Sequence, residues 1–283
     1  MNTIVLSDMA LLGKDVEDTR EGIKRLNSLM HQGVKTVILS NRPEYCMRRI
    51  GGSVNDENEV SYQFLGNCDT KGEGINIILF RPNKETLYSI PFQADYTIYG
   101  NGICTLDRED ELISMREFIK RSDLEHMIEV FETSGYSSIE ARLKSMDCFG
   151  DRCFAQGEDI YKFFVPENGV SKPSNRVYGM QCSGRDEEQD AAIIAKMEEH
   201  VLGIRGYRLN GKPCFYRKEA DKLCALEQLF NHEDISVSDC LMILSELTDN
   251  VILDKYPSQC EVVRGELKND SPKTLNKVLR DVV

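Results

Sequence analysis

Residues 3–8 read TIVLSD, a short apolar run that ends in a polar pair. Such a run is typical of a buried strand in a parallel sheet. Apolar residues then repeat at helical spacing over residues 18–32, and Gly33 provides a stop. Residues 34–42 read VKTVILSNR, a second apolar run that again ends in polar residues. Two strands joined by a helix predict a right-handed βαβ unit, in which both strands end at the same edge of a parallel sheet.

The carboxyl-terminal part of the chain follows the same logic. A helix is predicted over residues 219–230, and a buried strand, LMIL, over residues 241–244. The acidic turn SELTDN comes next at residues 245–250, and a strand at 260–263 and a helix at 271–282 complete the pattern. We expect these elements to extend the sheet that begins at the amino end.

The middle of the chain has a different character. Residues 55–100 alternate in the manner of strands separated by polar turns, whereas residues 111–217 mix short strands with predicted helices at 113–120 and 187–201. The simplest account is a discontinuous α/β core built from both ends of the chain, with an α+β module inserted between its halves.

The charge balance excludes two classes of partner. The chain has 283 residues, with 35 Lys and Arg against 47 Asp and Glu, so its formal net charge is −12. This acidic excess provides no cationic surface for phosphate backbones or anionic lipid, so we expect neither nucleic acid nor a membrane as partner. The chain has no apolar run of about 18 residues and no signal-peptide pattern, and the expected compartment is the cytoplasm. The sequence does not indicate an oligomeric state.

The ten cysteines are scattered, and no two are spaced as a Cys-x-x-Cys pair. Most are expected to be reduced thiols in or near the core. Cys148 and Cys153 are closest in sequence, but their spacing is not that of a zinc site and no histidine is near them.

Polar residues come directly after three of the predicted strands. Asp8 follows the first strand, Ser40 the second, and a turn with Glu246 and Asp249 the strand at 241–244. The carboxyl ends of parallel strands line one crevice, where Lys222 from the preceding helix would join them. A carboxylate nucleophile, a hydroxyl, an ammonium group and further carboxylates suit Mg²⁺ and a phosphate group. Taken singly, an acidic residue after a strand is more often a helix cap or a solvated turn.

The order of these residues resembles the motifs of the haloacid dehalogenase superfamily of phosphatases, in particular its Cof-type subfamily. In that subfamily an α+β cap is inserted between the second and third motifs, and residues 99–103, YGNGI, resemble the stretch where the cap begins. The resemblance implies a Rossmann-like parallel-sheet core at residues 1–102 and 218–283, with the cap at 103–217. Residues 45–95, near the core–cap boundary, are longer than the subfamily leads us to expect.

The resemblance also implies a reaction, in which Asp8 attacks the phosphorus of a small phosphorylated metabolite and forms an aspartyl phosphate. The implied phosphate-binding residues are Ser40, Asn41, Arg42 and Lys222. The implied ligands of a Mg²⁺ cofactor are Asp8, the backbone carbonyl of Ala10, Glu246 and Asp249.

Two motifs depart from the family pattern. The first motif is normally Asp-x-Asp-Gly-Thr, but residues 8–12 read DMALL, so Ala10 replaces the aspartate that protonates the leaving group and later activates water. Loss of such a general acid–base is expected to slow catalysis about 10²–10⁴-fold. The fourth motif is normally Gly-Asp-x-x-Asn-Asp, where this chain has the longer Glu246 and the reversed pair Asp249-Asn250. Both changes are expected to weaken a Mg²⁺ site, because this ion demands near-ideal octahedral geometry.

Two functional hypotheses therefore remain open. One is a Mg²⁺-dependent phosphatase with weak activity. The other is a protein that keeps the fold and a phosphate pocket for binding or regulation but has lost turnover. The surviving Asp8, Ser40 and Lys222 favour the first hypothesis, and Ala10 favours the second.

Overall fold

A computed structural model describes most of the chain. The described residues are 1–11, 16–41, 62–66, 75–81, 84–92, 94–109, 111–136, 139–144, 176–209, 211–264 and 273–282. The chain divides into two compact units, the first formed by Met1–Ser114 with Lys222–Val283 and the second by Met115–Asp221.

The described strands, in chain order, are β1 (Thr3–Ser7), β2 (Lys35–Leu39), β3 (Tyr62–Gly66), β4 (Ile75–Arg81), β5 (Lys84–Phe92), β6 (Tyr96–Tyr99), β7 (Cys104–Asp107), β8 (Leu112–Met115), β9 (Ile139–Lys144), β10 (Arg176–Cys182), β11 (Ile204–Leu209), β12 (Lys212–Arg217), β13 (Cys240–Ser245) and β14 (Cys260–Arg264). The described α-helices are α1 (Val16–His31), α2 (Arg121–Thr133), α3 (Glu187–His200), α4 (Lys222–His232), α5 (Asn250–Lys255) and α6 (Leu275–Val282).

The first unit contains the main sheet, whose strand order is β14-β13-β1-β2-β6-β7-β8. Strands β14, β13, β1, β2 and β6 run parallel to one another, and β7 is antiparallel to β6. Strand β1 lies between β2 and β13, with Leu6 beside both Ile38 and Ile243. All three side chains are fully buried. The predicted α/β class with a Rossmann-like parallel sheet is confirmed.

Helices α1, α4 and α6 supply apolar faces to the first unit. Leu226 and Leu229 of α4 belong to the same apolar cluster as Val5 and Met242 of the sheet. On α1, Gly22 allows a close approach to α6, since a Cβ atom there would lie 2.9 Å from the backbone nitrogen of Asn276. Helices α1 and α6 therefore pack closely against each other.

Residues 45–95, expected to be an extended region, contain the antiparallel strands β3, β4 and β5 of a separate small sheet in the order β3-β4-β5. Residues 45–61, 67–74, 82–83 and 93 of this region lie outside the described part of the chain.

The second unit is built around an antiparallel sheet with the order β11-β12-β10-β9. Helices α2 and α3 bury apolar side chains together with this sheet, and Phe131, Met197 and Phe215 are at the centre of their common core. Helix α3 begins at Glu187, as the sequence predicts. The Asp186 side chain caps its first turn by accepting a hydrogen bond of 2.8 Å from the backbone nitrogen of Gln189.

The division into units differs from the predicted boundaries of 103–217 for the inserted module. Strands β7 and β8 extend the main sheet, so the first unit continues to Ser114. At the other end, the backbone nitrogen of Lys218 donates to the carbonyl of Gly203, and the second unit continues to Asp221.

The helix predicted at residues 113–120 is wrong. Residues 112–115 form the edge strand β8 instead, and Ile113 packs on the apolar cluster of the first unit. Farther along the same segment, Ile119 forms an antiparallel bridge with Val177. Pairing with neighbouring strands thus determines the structure of this segment, as tertiary contacts commonly override weak local preferences.

Among the helices that the structure describes, none combines the length and the apolar character that a membrane crossing requires.

Candidate active site

Asp8 and Ser40 meet at the carboxyl edge of the main sheet. Asp8 directly follows β1 and begins a 3-10 turn, Asp8–Leu11. Ser40 directly follows β2, and the parallel register of Ser7 with Leu39 places the two residues side by side. The Ser40 hydroxyl donates a hydrogen bond of 2.8 Å to Oδ2 of Asp8. Both are buried, with Asp8 4% and Ser40 0% exposed, so the carboxylate has a fixed orientation.

The backbone around Ser40 is held by the segment after β6. The Ser40 nitrogen donates to the carbonyl of Ile98 at 2.8 Å, and the Asn101 nitrogen donates to the carbonyl of Ser40 at 3.1 Å. Asn101 has a φ of 58°, between glycines with φ of 58° and 95°. Asparagine tolerates this left-handed conformation better than most residues. Asn101 is therefore part of the support of the site, a role that the YGNGI sequence alone does not reveal.

Lys222 and Asp249 form a second buried pair. The Lys222 ammonium group lies 2.5 Å from Oδ1 of Asp249, and the side chains are 5% and 0% exposed. The other oxygen of Asp249 accepts hydrogen bonds from the backbone nitrogen of Ser245 at 3.1 Å and from the Thr248 hydroxyl at 2.9 Å. Both carboxylate oxygens of Asp249 thus have protein partners, which compensate for the burial of its charge.

The two pairs lie at the ends of adjacent strands. Lys222 is the first residue of α4, and Asp249 lies in the turn after β13, the strand paired with β1. The hydroxyl groups of Ser7 and Thr248 are 3.4 Å apart, and each of these residues directly precedes a member of a pair. Neither residue was a sequence-predicted site residue. A hydroxyl residue before each carboxylate was the available signal, and it is too common to be specific.

The other predicted residues lie around these two pairs or outside the described residues. Asn41 is partly buried next to Ser40, and Arg42 lies outside the described residues. Ala10 is 5% exposed in the turn that Asp8 begins. Glu246 is partly exposed in the turn after β13, and Asn250 is exposed at the start of α5. In the reversed pair, Asp249 is therefore the buried member and Asn250 the exposed one.

The donor set suits Mg²⁺ in part. Asp8, Glu246 and the Ala10 carbonyl offer the hard oxygen atoms that this ion prefers, and it is often held by one or two carboxylates together with substrate phosphate. Both carboxylate oxygens of Asp249 have protein partners, with Lys222 on Oδ1, and the role of Asp249 as a Mg²⁺ ligand stays a prediction. Within the described ranges, no group of three or more His, Cys, Asp or Glu side chains is arranged to hold a metal ion.

The cysteines that the structure describes belong to no group of side chains arranged to hold a metal ion. None of these residues forms a disulfide bond: Cys104, Cys182, Cys214, Cys224, Cys240 and Cys260. Cys148 and Cys153 lie outside the described residues.

Comparison with known proteins finds likeness in structure and not in sequence. No protein-family model matches the chain, and no curated protein is a detectable sequence relative. A putative HAD/Cof-like hydrolase from Plasmodium vivax aligns over 100% of this chain and 95% of its own, at 12% identity and a TM-score of 0.60. A haloacid dehalogenase-like hydrolase from Bacillus subtilis aligns over 93% and 89%, at 12% identity and a TM-score of 0.57.

A third similar structure is that of a sugar phosphatase of HAD subclass IIB, which aligns over 100% of this chain and 99% of its own, at 13% identity and a TM-score of 0.57. The three alignments each cover nearly the whole chain. The main sheet contains strands from both ends of the sequence, with β13 and β14 beside β1 and β2. The chain therefore has the haloacid dehalogenase fold, in the form found in Cof-like hydrolases.

Proposed function

We propose that this chain is a slow, Mg²⁺-dependent phosphatase that acts on a small phosphorylated metabolite through an aspartyl phosphate at Asp8. The observation that carries the proposal is the buried hydrogen bond between Asp8 and Ser40 beside the buried pair of Lys222 and Asp249. A carboxylate oriented by a hydroxyl, at the end of a strand adjacent to the one whose turn holds the aspartate of a lysine–aspartate pair, is suited to attack on phosphorus.

In the first step, a carboxylate oxygen of Asp8 forms a bond to phosphorus while the ester bond to the leaving oxygen breaks. Ser40 holds the Asp8 carboxylate in one orientation through its hydrogen bond to Oδ2. Since position 10 is alanine, the leaving oxygen takes its proton from solvent, which makes the step slow.

In the second step, water attacks the aspartyl phosphate, orthophosphate leaves and the Asp8 carboxylate is restored. The missing carboxylate at position 10 would otherwise activate this water, so this step is slow for the same reason. Lys222 supplies a positive charge to the phosphate oxygens, and Asp249 fixes the position of its ammonium group. A Mg²⁺ ion held by Asp8, Glu246 and the Ala10 carbonyl would supply further positive charge to the phosphate.

A binding or regulatory protein without turnover is the second candidate. The observation in its favour is the apolar character of the turn after Asp8, where Ala10 is 5% and Leu11 0% exposed. The site would then recognise a phosphate group without processing it.

A rate assay separates the two candidates. Release of orthophosphate is measured on a panel of phosphomonoesters, rich in sugar phosphates because one similar structure is a sugar phosphatase, with and without Mg²⁺. We expect measurable turnover that is lost in Asp8→Asn and kept in the control Asp239→Asn, whose side chain is exposed and which lies before β13. If the unaltered chain and Asp8→Asn release phosphate at the same rate, the phosphatase proposal fails.

A further inference from the structure

The buried charges of the first unit lie at one edge of its main sheet. Among the Asp, Glu, Lys and Arg side chains that the structure describes in that unit, three are buried: Asp8, Lys222 and Asp249. The Thr248 hydroxyl, which donates to Asp249, lies 3.4 Å from the hydroxyl of Ser7, the residue before Asp8. This edge therefore buries one positive charge against two negative ones, a balance that disfavours a phosphate anion.

The Asp249 carboxylate is contacted by hydrogen-bond donors on both of its oxygens. Oδ1 lies 2.5 Å from the Lys222 ammonium group, and Oδ2 accepts from the Ser245 backbone nitrogen at 3.1 Å and from the Thr248 hydroxyl at 2.9 Å. A carboxylate accepts on both oxygens, whereas an asparagine amide would turn its NH₂ group towards either Lys222 or Ser245. The arrangement therefore suits a charged carboxylate at position 249.

The contact with Asp249 leaves Lys222 able to meet a phosphate group but offsets its charge. An ammonium group has three N–H donors, and the contact with Oδ1 uses one of them. Asp249 therefore acts on a phosphate group through its charge and not by covering the ammonium group. The two side chains are 5% and 0% exposed, so solvent and salt screen this charge only weakly.

We propose that Asp249 is a positioning residue for Lys222 whose negative charge keeps the affinity of the site for phosphate low. The inference rests on the contact between Lys222 and phosphate in the proposed function. A low affinity for orthophosphate favours release of this product after hydrolysis. The fixed position and the offset charge of the Lys222 ammonium group thus have one cause, its ion pair with Asp249.

The competing explanation is that Asp249 is a Mg²⁺ ligand, as the family resemblance implies. The two roles predict opposite effects of the charge at position 249 when Mg²⁺ is present. A metal ligand strengthens phosphate binding through the ion, so its loss weakens binding in the presence of Mg²⁺. A charge that offsets Lys222 lowers phosphate affinity with and without the ion, so its loss strengthens binding in both conditions.

Asp249→Asn tests the proposal with inorganic phosphate as the probe. The thermal midpoint is measured at up to about 50 mM phosphate and constant ionic strength, in EDTA and again in MgCl₂, because a ligand that binds only the folded chain raises the midpoint according to its Kd. We expect Asp249→Asn to bind phosphate about 10–100-fold more tightly in both buffers, the effect of removing one unit charge about 6–12 Å away at an effective dielectric constant of about 20. Unchanged or weaker binding in either buffer overturns the inference.

The matched control is Asp190→Asn, on α3 of the second unit. The Asp190 side chain is also 0% exposed, and its Oδ2 atom lies 3.0 Å from Nε of Arg208. The control therefore changes the net charge equally and also removes the buried carboxylate of an ion pair, and its phosphate affinity should equal that of the unaltered chain. An equal gain in Asp190→Asn would show that net charge alone sets the affinity, and that result overturns the inference.

The double variant Lys222→Met with Asp249→Asn decides the question if Asp249→Asn does not fold. It removes both charges, so it leaves no buried cation without its partner. If Asp249 offsets Lys222, the double variant loses only what an uncharged hydrogen bond contributes, and its phosphate affinity falls about two- to tenfold below that of the unaltered chain. A larger loss means that Lys222 acts with its full charge, and no loss means that Lys222 does not contact phosphate. Either result overturns the inference.

Failure of this inference and failure of the proposed function are distinguishable. If the unaltered chain binds phosphate but hydrolyses no ester, the phosphatase proposal fails, and the affinities of the variants still decide the role of Asp249. If esters are hydrolysed but Asp249→Asn binds phosphate no more tightly, the inference fails and the proposed function stands. If neither the unaltered chain nor Asp249→Asn binds phosphate, the inference is overturned.

Discussion

Replacing Lys222 by methionine tests the buried pair on which the candidate site depends. The variant leaves Asp249, whose side chain is 0% exposed, without its cation. Removal of one partner from a buried ion pair typically costs about 3–5 kcal/mol, because the remaining charge stays buried. At about 2–4 °C per kcal/mol for a chain of this size, the thermal midpoint should fall by roughly 6–20 °C. The chain contains no tryptophan, so unfolding in urea is followed by far-ultraviolet circular dichroism.

The double variant Lys222→Met with Asp249→Asn removes both charges. We expect it to be more stable than the sum of the single variants predicts, by about 0.5–3 kcal/mol, since residues in contact are not additive. The control is Lys273→Met, which breaks a pair with Glu261 at 2.6 Å whose side chains are 47% and 37% exposed. An exposed pair of this kind contributes at most about 1 kcal/mol. A loss in Lys222→Met no larger than that in Lys273→Met would refute the reasoning, because it would mean that Asp249 is not buried beside Lys222.

Two further predictions concern catalysis and pH. Ala10→Asp should raise phosphate release about 10²–10⁴-fold if only the general acid–base is missing, and an unchanged rate would show that another part of the site also fails. The pKa of Glu233 is lowered below its usual 4.5, chiefly by the hydrogen bond from Tyr96. The ionised Glu233 carboxylate therefore stabilises the folded state above pH 4.5, and this stabilisation is lost as the pH falls through the folded-state pKa. In urea unfolding between about pH 6 and 3, both Glu233→Gln and Tyr96→Phe should therefore lose less stability than the unaltered chain, and equal slopes for all three would contradict the assignment.

The part of the fold that could be predicted from sequence is the part governed by hydrophobic periodicity. Strands β1, β2 and β13 are short apolar runs that end in polar residues, and such runs are recognisable without a partner. Asp8 and Ser40 could be found from the same pattern, because parallel strands present their carboxyl ends at one edge. Strand β8 could not be found in this way, since its four residues become a strand only through pairing at the edge of the main sheet.

The partners within the site were less predictable than its members. Lys222 and Asp249 were both recognised, but the sequence offered no reason to pair them with each other, since 27 residues separate them. A buried carboxylate can bind either a metal ion or an ammonium group. Which of the two its oxygen atoms contact is set by tertiary packing. The role of Asn101 likewise depends on a positive φ that is visible only in the folded backbone.

The burial of these charges bears on the choice between a slow phosphatase and a protein without turnover. The side chains of the ion pair, Lys222 and Asp249, are 5% and 0% exposed. Well-packed apolar residues in place of a buried ion pair are often as stable or more so, so stability alone gives little reason for these side chains to be charged. The turn after Asp8 shows that apolar residues are accommodated close by, because Leu11 is fully buried there. The charges are therefore better explained by phosphate binding, which both candidates require. The candidates differ only in whether the bound ester is then hydrolysed, and Ala10→Asp is designed to restore that step.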